Sequence, residues 1–112
     1  MRVWDLREIH TPGGSRSPVV LHSDDEGRAI LVALEPGQAL GHHEVKEHAF
    51  VTIVSGTAEI ETSSETLIAE PGMLFFFEPE ERRSISTRAG ARLLFVLAPW
   101  PGEGHYRGER PA

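Results

Sequence analysis

The 112-residue chain has no cysteine. That excludes disulfides and thiolate metal sites, so any metal has to be held by imidazole and carboxylate. Long hydrophobic runs are missing too. The longest, Ala29 to Leu34 and Leu93 to Ala98, fall far short of the roughly 20 residues needed to cross a bilayer and match the length of buried strands. Positive charge is in deficit: 11 Lys and Arg against 17 Asp and Glu give a net charge of −6, which argues against a nucleic-acid surface. No segment sustains the 3.6-residue period of an amphipathic helix. The start, Met1 to Glu8, lacks a secretory hydrophobic region, so no membrane association and a cytoplasmic location are the expectation. No Ser/His/Asp arrangement, phosphate loop or paired acid dyad has usable spacing.

What is present reads as β structure. Apolar or alternating runs of four to eight residues are separated by Gly, Pro, Ser and acidic clusters, the pattern of a sandwich or barrel. Strands are expected at Val19 to His22, Arg28 to Glu35, Phe50 to Ser55, Thr57 to Thr62, Thr66 to Ala69, Met73 to Phe77, Ser84 to Thr87 and Ala91 to Ala98. Between two of these runs lies Gly37-Gln38-Ala39-Leu40-Gly41-His42-His43-Glu44-Val45-Lys46-Glu47-His48, with three of the six histidines in seven residues. Such crowding suits a divalent metal, and it equally suits an exposed or rim-lying loop.

The framework around that cluster resembles the first motif of the cupin superfamily, G(X)5HXH(X)3–4E(X)6G, with Gly37 opening it and Gly56 closing it. Pro71-Gly72 to Pro79 keeps the spacing of the second motif, G(X)5PXG(X)2H(X)3N. The resemblance covers about residues 28 to 98. It implies an all-β, double-stranded β-helix (jelly-roll) barrel. The chain is then one domain over residues 1–112, with an N-terminal edge strand within about 1–22, including Val3, Trp4 and Leu6, and a C-terminal tail at 99–112.

The metal positions fit less well than the framework. His43 falls on the first motif histidine, Val45 on the second and Ala49 on the glutamate. The second-motif histidine falls on Ser84, or on Arg83 if the loop is one residue shorter, and the motif glycine falls on Glu81. Because strand side chains alternate, His43, Val45, Glu47 and Ala49 would share a face. A non-standard Zn²⁺, Fe²⁺ or Ni²⁺ site is therefore expected from His43, Glu47 and His48, with His42 joining across a bulge and His105 reaching back on the tail.

A ligand cavity is the other expectation. Its wall would include Val45, Ala49, Val51 and one face of Phe75-Phe76-Phe77, with Phe76 or its neighbours turned inward. Arg83 at the barrel mouth would hold a carboxylate or phosphate, unless it is a surface arginine paired with Glu80 or Glu81. Three functions stay open: a small-molecule-binding barrel, a metal-dependent enzyme of the dioxygenase or isomerase/epimerase type, and a structural or partner-binding barrel. A homodimer, pairing through the sheets and covering exposed strand edges, is expected in each case.

Overall fold

The structure, a computed structural model, describes residues 1–11 and 18–102, and of His42 and His43 the backbone alone. Nine strands and no helix occur among the described residues: β1 Val19–Asp24, β2 Gly27–Leu34, β3 Ala39–His43, β4 His48–Gly56, β5 Ala58–Glu61, β6 Thr66–Ala69, β7 Leu74–Phe77, β8 Arg83–Ser86 and β9 Ala91–Ala98. They form two antiparallel sheets, one ordered β1-β2-β9-β4-β7 and the other β3-β8-β5-β6. The all-β jelly-roll expectation therefore holds.

Alternation decides which side chains meet between the sheets. β9 is almost wholly apolar, yet Ala91, Leu93, Phe95 and Leu97 are buried while Arg92, Leu94, Val96 and Ala98 are only half-buried. Facing them in register are Val32 and Leu34 of β2, and Ala49, Val51 and Ile53 of β4. Ile85 of β8, Ala58 and Ile60 of β5, Ala69 of β6 and Phe77 of β7 complete the same cluster. Burial of these side chains supplies the main driving force for closing the two sheets on each other.

The two framework glycines have distinct local reasons. Gly37 turns with φ 87° after Pro36, and its N–H donates to the Thr87 carbonyl at 3.0 Å. Gly56 sits at φ 78°, and a Cβ there would run into the Gly90 carbonyl and lie 2.9 Å from Cα of Ala91. Only glycine fits such a conformation and such an approach without strain.

Two local differences from the sequence expectation stand out. Ala39 to His43 forms a strand of its own, with a register shift between Leu40 and His43. The edge strand is β1, whereas the region around Val3, Trp4 and Leu6 contains no strand. There the Arg7 side chain and N–H both donate to the Asp5 carboxylate, and Glu8 N–H donates to the Asp5 carbonyl. This local turn uses backbone groups that a strand would have paired. Arg92, on the outer face of β9, holds that N-terminal segment by donating to the carbonyls of Leu6 and Ile9 at 2.9 and 2.8 Å.

Candidate functional site

One end of the barrel carries the chemistry. Ala49 and Val51 of β4 are buried on its inner face, and in the loop before it Glu47 is fully buried while Val45 packs against the core. Strand alternation turns His48, Phe50 and Thr52 outward. His48 stacks on Phe76 (centroids 5.6 Å apart), and its Nδ1 lies 3.3 Å from the Ala98 carbonyl. Phe76 also meets Phe50 at 5.0 Å. Glu47 is thus buried while His48 faces outward, and Phe76 lies on the outside while Phe77 lies within.

Glu47 is held by the chain beyond β9. The Gly102 N–H donates to Glu47 Oε2 at 2.8 Å in a buried hydrogen bond. Position 102 has to be glycine for this contact, since a Cβ would strike the Lys46 carbonyl and approach the Glu47 nitrogen to 3.1 Å. Trp100 packs against the core and stacks with the Arg28 guanidinium, whose carbon lies 4.4 Å from the ring centroid. Such a cation–π contact adds modestly to the docking of the strap. The tail therefore packs back over the barrel end as far as Gly102. His105 lies outside the described residues.

Arg83 is the unexpected group. It is 1% exposed, the bulkiest of the fully buried side chains. Its guanidinium lies over the Phe77 ring at 4.9 Å. Nε and Nη1 are buried and have no hydrogen-bond partner among the described residues. The acids that might have drawn it to the surface are engaged elsewhere: Glu80 pairs with Lys46 at 2.9 Å, and the Glu81 carboxylate accepts from the Glu78 N–H at 3.0 Å. Burial pulls the Arg83 pKa below its usual value, with the Glu81 charge opposing that shift. An arginine nonetheless stays protonated in proteins. A buried cation without partners is costly unless something else supplies the acceptors.

That something has room. Arg83 lines a cavity of about 180 Å³ whose other walls are Pro18, Ile30, Val32, Leu40, Val45, Phe95 and Leu97. Arg83 faces inward because Ile85, two residues on, pairs with Leu40 and Ile60 in the core, which sends Ser84 outward toward Glu61. Ala49, Val51 and Phe76 do not line this cavity, while Val45 does. A larger depression of about 340 Å³ lies elsewhere, lined by Thr57, Glu59, Ile68, Ser86, Thr87 and Arg88 among others. Its one buried polar side chain, Thr87, already donates to the Thr57 carbonyl and accepts from Gly90 N–H, so it offers no comparable unmet demand.

Among the described residues no three His, Asp or Glu side chains converge. Glu47 is engaged with Gly102 and His48 faces the outside. Backbone register sets His43 opposite Arg83, so a cation stands beside the position that the resemblance gives to a ligand. The side chains of His42 and His43 lie outside the described residues.

Comparison with known proteins agrees with the architecture. Among curated proteins, none matches the sequence. Solved structures do. An RmlC-like cupin from Desulfovibrio desulfuricans superposes with a TM-score of 0.78 at 14% identity, over 88% of this chain and 97% of that one. A conserved double-stranded β-helix protein from Klebsiella pneumoniae gives 0.77 at 17% identity, over 88% and 84%. A cupin superfamily protein from Desulfitobacterium hafniense gives 0.75 at 14%, over 83% and 85%. At these identities the likeness is one of fold. Residues 30–97 match the Cupin_2 (cupin domain) family model, and with the jelly-roll architecture and the Gly37 and Gly56 framework in place, the chain belongs to the cupin family.

Proposed function

We propose that this cupin binds a small molecule in the apolar cavity at the barrel end, with Arg83 as its polar anchor. The observation that carries this reading is the buried guanidinium, with Nε and Nη1 unpartnered among the described residues, in the wall of a cavity whose other described lining residues are apolar. Ligand sites commonly have this composition, an apolar lining with very few placed polar groups. Stability is a poor explanation for such a residue, because an apolar side chain of similar volume would be at least as stable there.

A fragment screen by protein-observed NMR tests the reading. Binders should shift the methyl resonances of Val32, Leu40 and Val45 together and raise the melting temperature as ligand concentration rises. If a chemically diverse screen yields no fragment that shifts these methyls, the proposal fails.

The proposal extends to assembly as a homodimer. His48, Phe50, Leu74 and Phe76 share the outer face of β4 and β7 at the edge of the five-stranded sheet. Leu74 is 67% exposed, and Phe50 and Phe76 are 40% and 44% exposed. A contiguous apolar patch of this kind marks association surfaces in soluble proteins. Light scattering at micromolar concentration should give twice the chain mass, and Phe76→Glu should return it to the monomer.

A further inference from the structure

We infer that the ligand of this cavity is a small monocarboxylate with a compact apolar body, about the size of an aromatic ring. The inference rests on the binding role proposed above and narrows it to one chemical class.

Charge comes first. Among the described lining residues Arg83 is the sole charged group, so the site neutralises one negative charge. A phosphate monoester or dicarboxylate would bring a second charge against Ile30, Val32, Leu40 and Phe95, where an unpaired ion is heavily penalised. The net charge of −6 on the whole chain adds a long-range bias against multiply charged anions.

Geometry comes second. A guanidinium presents two donor edges, one formed by Nε with an Nη nitrogen and one by its two Nη nitrogens. The unpaired Nε and Nη1 therefore leave one unmet donor on each edge. A carboxylate accepting two parallel hydrogen bonds along one edge meets the unmet donor of that edge with matched planarity. The guanidinium carbon lies over the Phe77 ring at 4.9 Å, and all of the guanidinium's donors point outward in its own plane.

Size comes third. The cavity of about 180 Å³ is close to the roughly 150 Å³ apolar cavity that takes up benzene. It lies below the range of about 300–1,000 Å³ typical of sites for drug-sized ligands. A nucleotide, a nucleotide sugar or a disaccharide does not fit. A ring acid or a short branched acid does.

Isothermal titration of the full chain with benzoate, benzyl alcohol and inorganic phosphate tests the inference. Benzoate should bind wild type at least tenfold more tightly than benzyl alcohol. Arg83→Met should weaken benzoate at least tenfold and leave benzyl alcohol unchanged, and Arg83→Lys should fall between. Since Arg83→Met removes an unpartnered buried charge, its melting temperature should not fall, so loss of binding cannot be assigned to unfolding. Val45→Phe, which fills the cavity and keeps the arginine, should lose both aromatic ligands.

If benzyl alcohol binds wild type as tightly as benzoate, or if phosphate competes with benzoate, the monocarboxylate class is overturned while cavity binding stands. If neither aromatic compound binds wild type, and the fragment screen also finds nothing, cavity binding falls with it.

Discussion

Among the described residues two ionisable side chains are buried, and they are used in opposite ways. Glu47 is fully enclosed and its Oε2 accepts the Gly102 N–H, so this side chain docks the strap that crosses the barrel end. Arg83 is enclosed to the same degree, and its Nε and Nη1 have no hydrogen-bond partner among the described residues. A buried group bonded to a distant part of its own chain is a structural element, whereas a buried cation with open donors is a demand on a ligand. The two residues show how equal burial can mean different things.

The sharpest way to break the comparison is to remove each charge in turn. Glu47→Ala should cost about 3 kcal/mol in chemical denaturation, combining a lost acceptor with a buried void. Gly102→Ala should cost about 2 kcal/mol, because its Cβ meets the Lys46 backbone and lifts the strap away. The two act on one contact, so the double variant should lose clearly less than the sum. Full additivity would show that the strap is not held through Glu47.

Arg83→Met should move stability the other way, a gain of about 1–2 kcal/mol in the ligand-free protein, the desolvation penalty no longer being paid. A loss comparable to that of Glu47→Ala would place both charges in the structural class.

The smallest effect belongs to a charge at the surface, which calibrates the other two. Asp24 closes the β1–β2 turn by accepting from His22, Glu26 and Gly27, and these bonds, that from His22 first, hold its carboxyl below the ordinary aspartate value of 3.8. A lowered folded-state pKa means a contribution present above the unfolded value and lost as pH falls through the folded one. Asp24→Asn should therefore be slightly less stable than wild type at neutral pH, and the two melting curves should converge as the pH drops below about 3.8.

Much of the architecture was legible in the sequence because it depends on parity and punctuation. Ala49, Val51 and Ile53 share the inward face because strand side chains alternate, and the Gly37 and Gly56 turns follow from φ values that favour glycine. The loop that carries Val45 and Glu47 has no such period, so the burial of Glu47 beside an outward His48 was not legible in the sequence. Arg83 was ambiguous because counting across the Glu78 to Arg82 loop leaves the phase of the next strand open by one residue. Pairing of Ile85 with Leu40 and Ile60 fixes that phase, and such pairing is a tertiary fact. β3 was not read as a separate strand because Gly41 and two histidines give Ala39 to His43 little intrinsic β preference, and its bonds to β8 supply what the residues do not. The docking of Gly102 on Glu47 joins positions 55 apart in sequence, beyond the reach of any local pattern.

The position of β9 has a consequence for how the molecule is made. This ninth strand lies between β2 and β4 in the middle of the five-stranded sheet, so during synthesis the earlier strands wait with open edges until residue 98 has left the ribosome. Pairings of this kind close slowly because they join residues far apart in the chain, such as Arg28 with Leu97 and His48 with Ala98, and exposed edges are where nascent sheets stick to their neighbours. A nascent chain arrested before Ala91 should be degraded or aggregate, while one arrested beyond the strap should fold, making the yield of this protein depend on how fast the β9 stretch is translated.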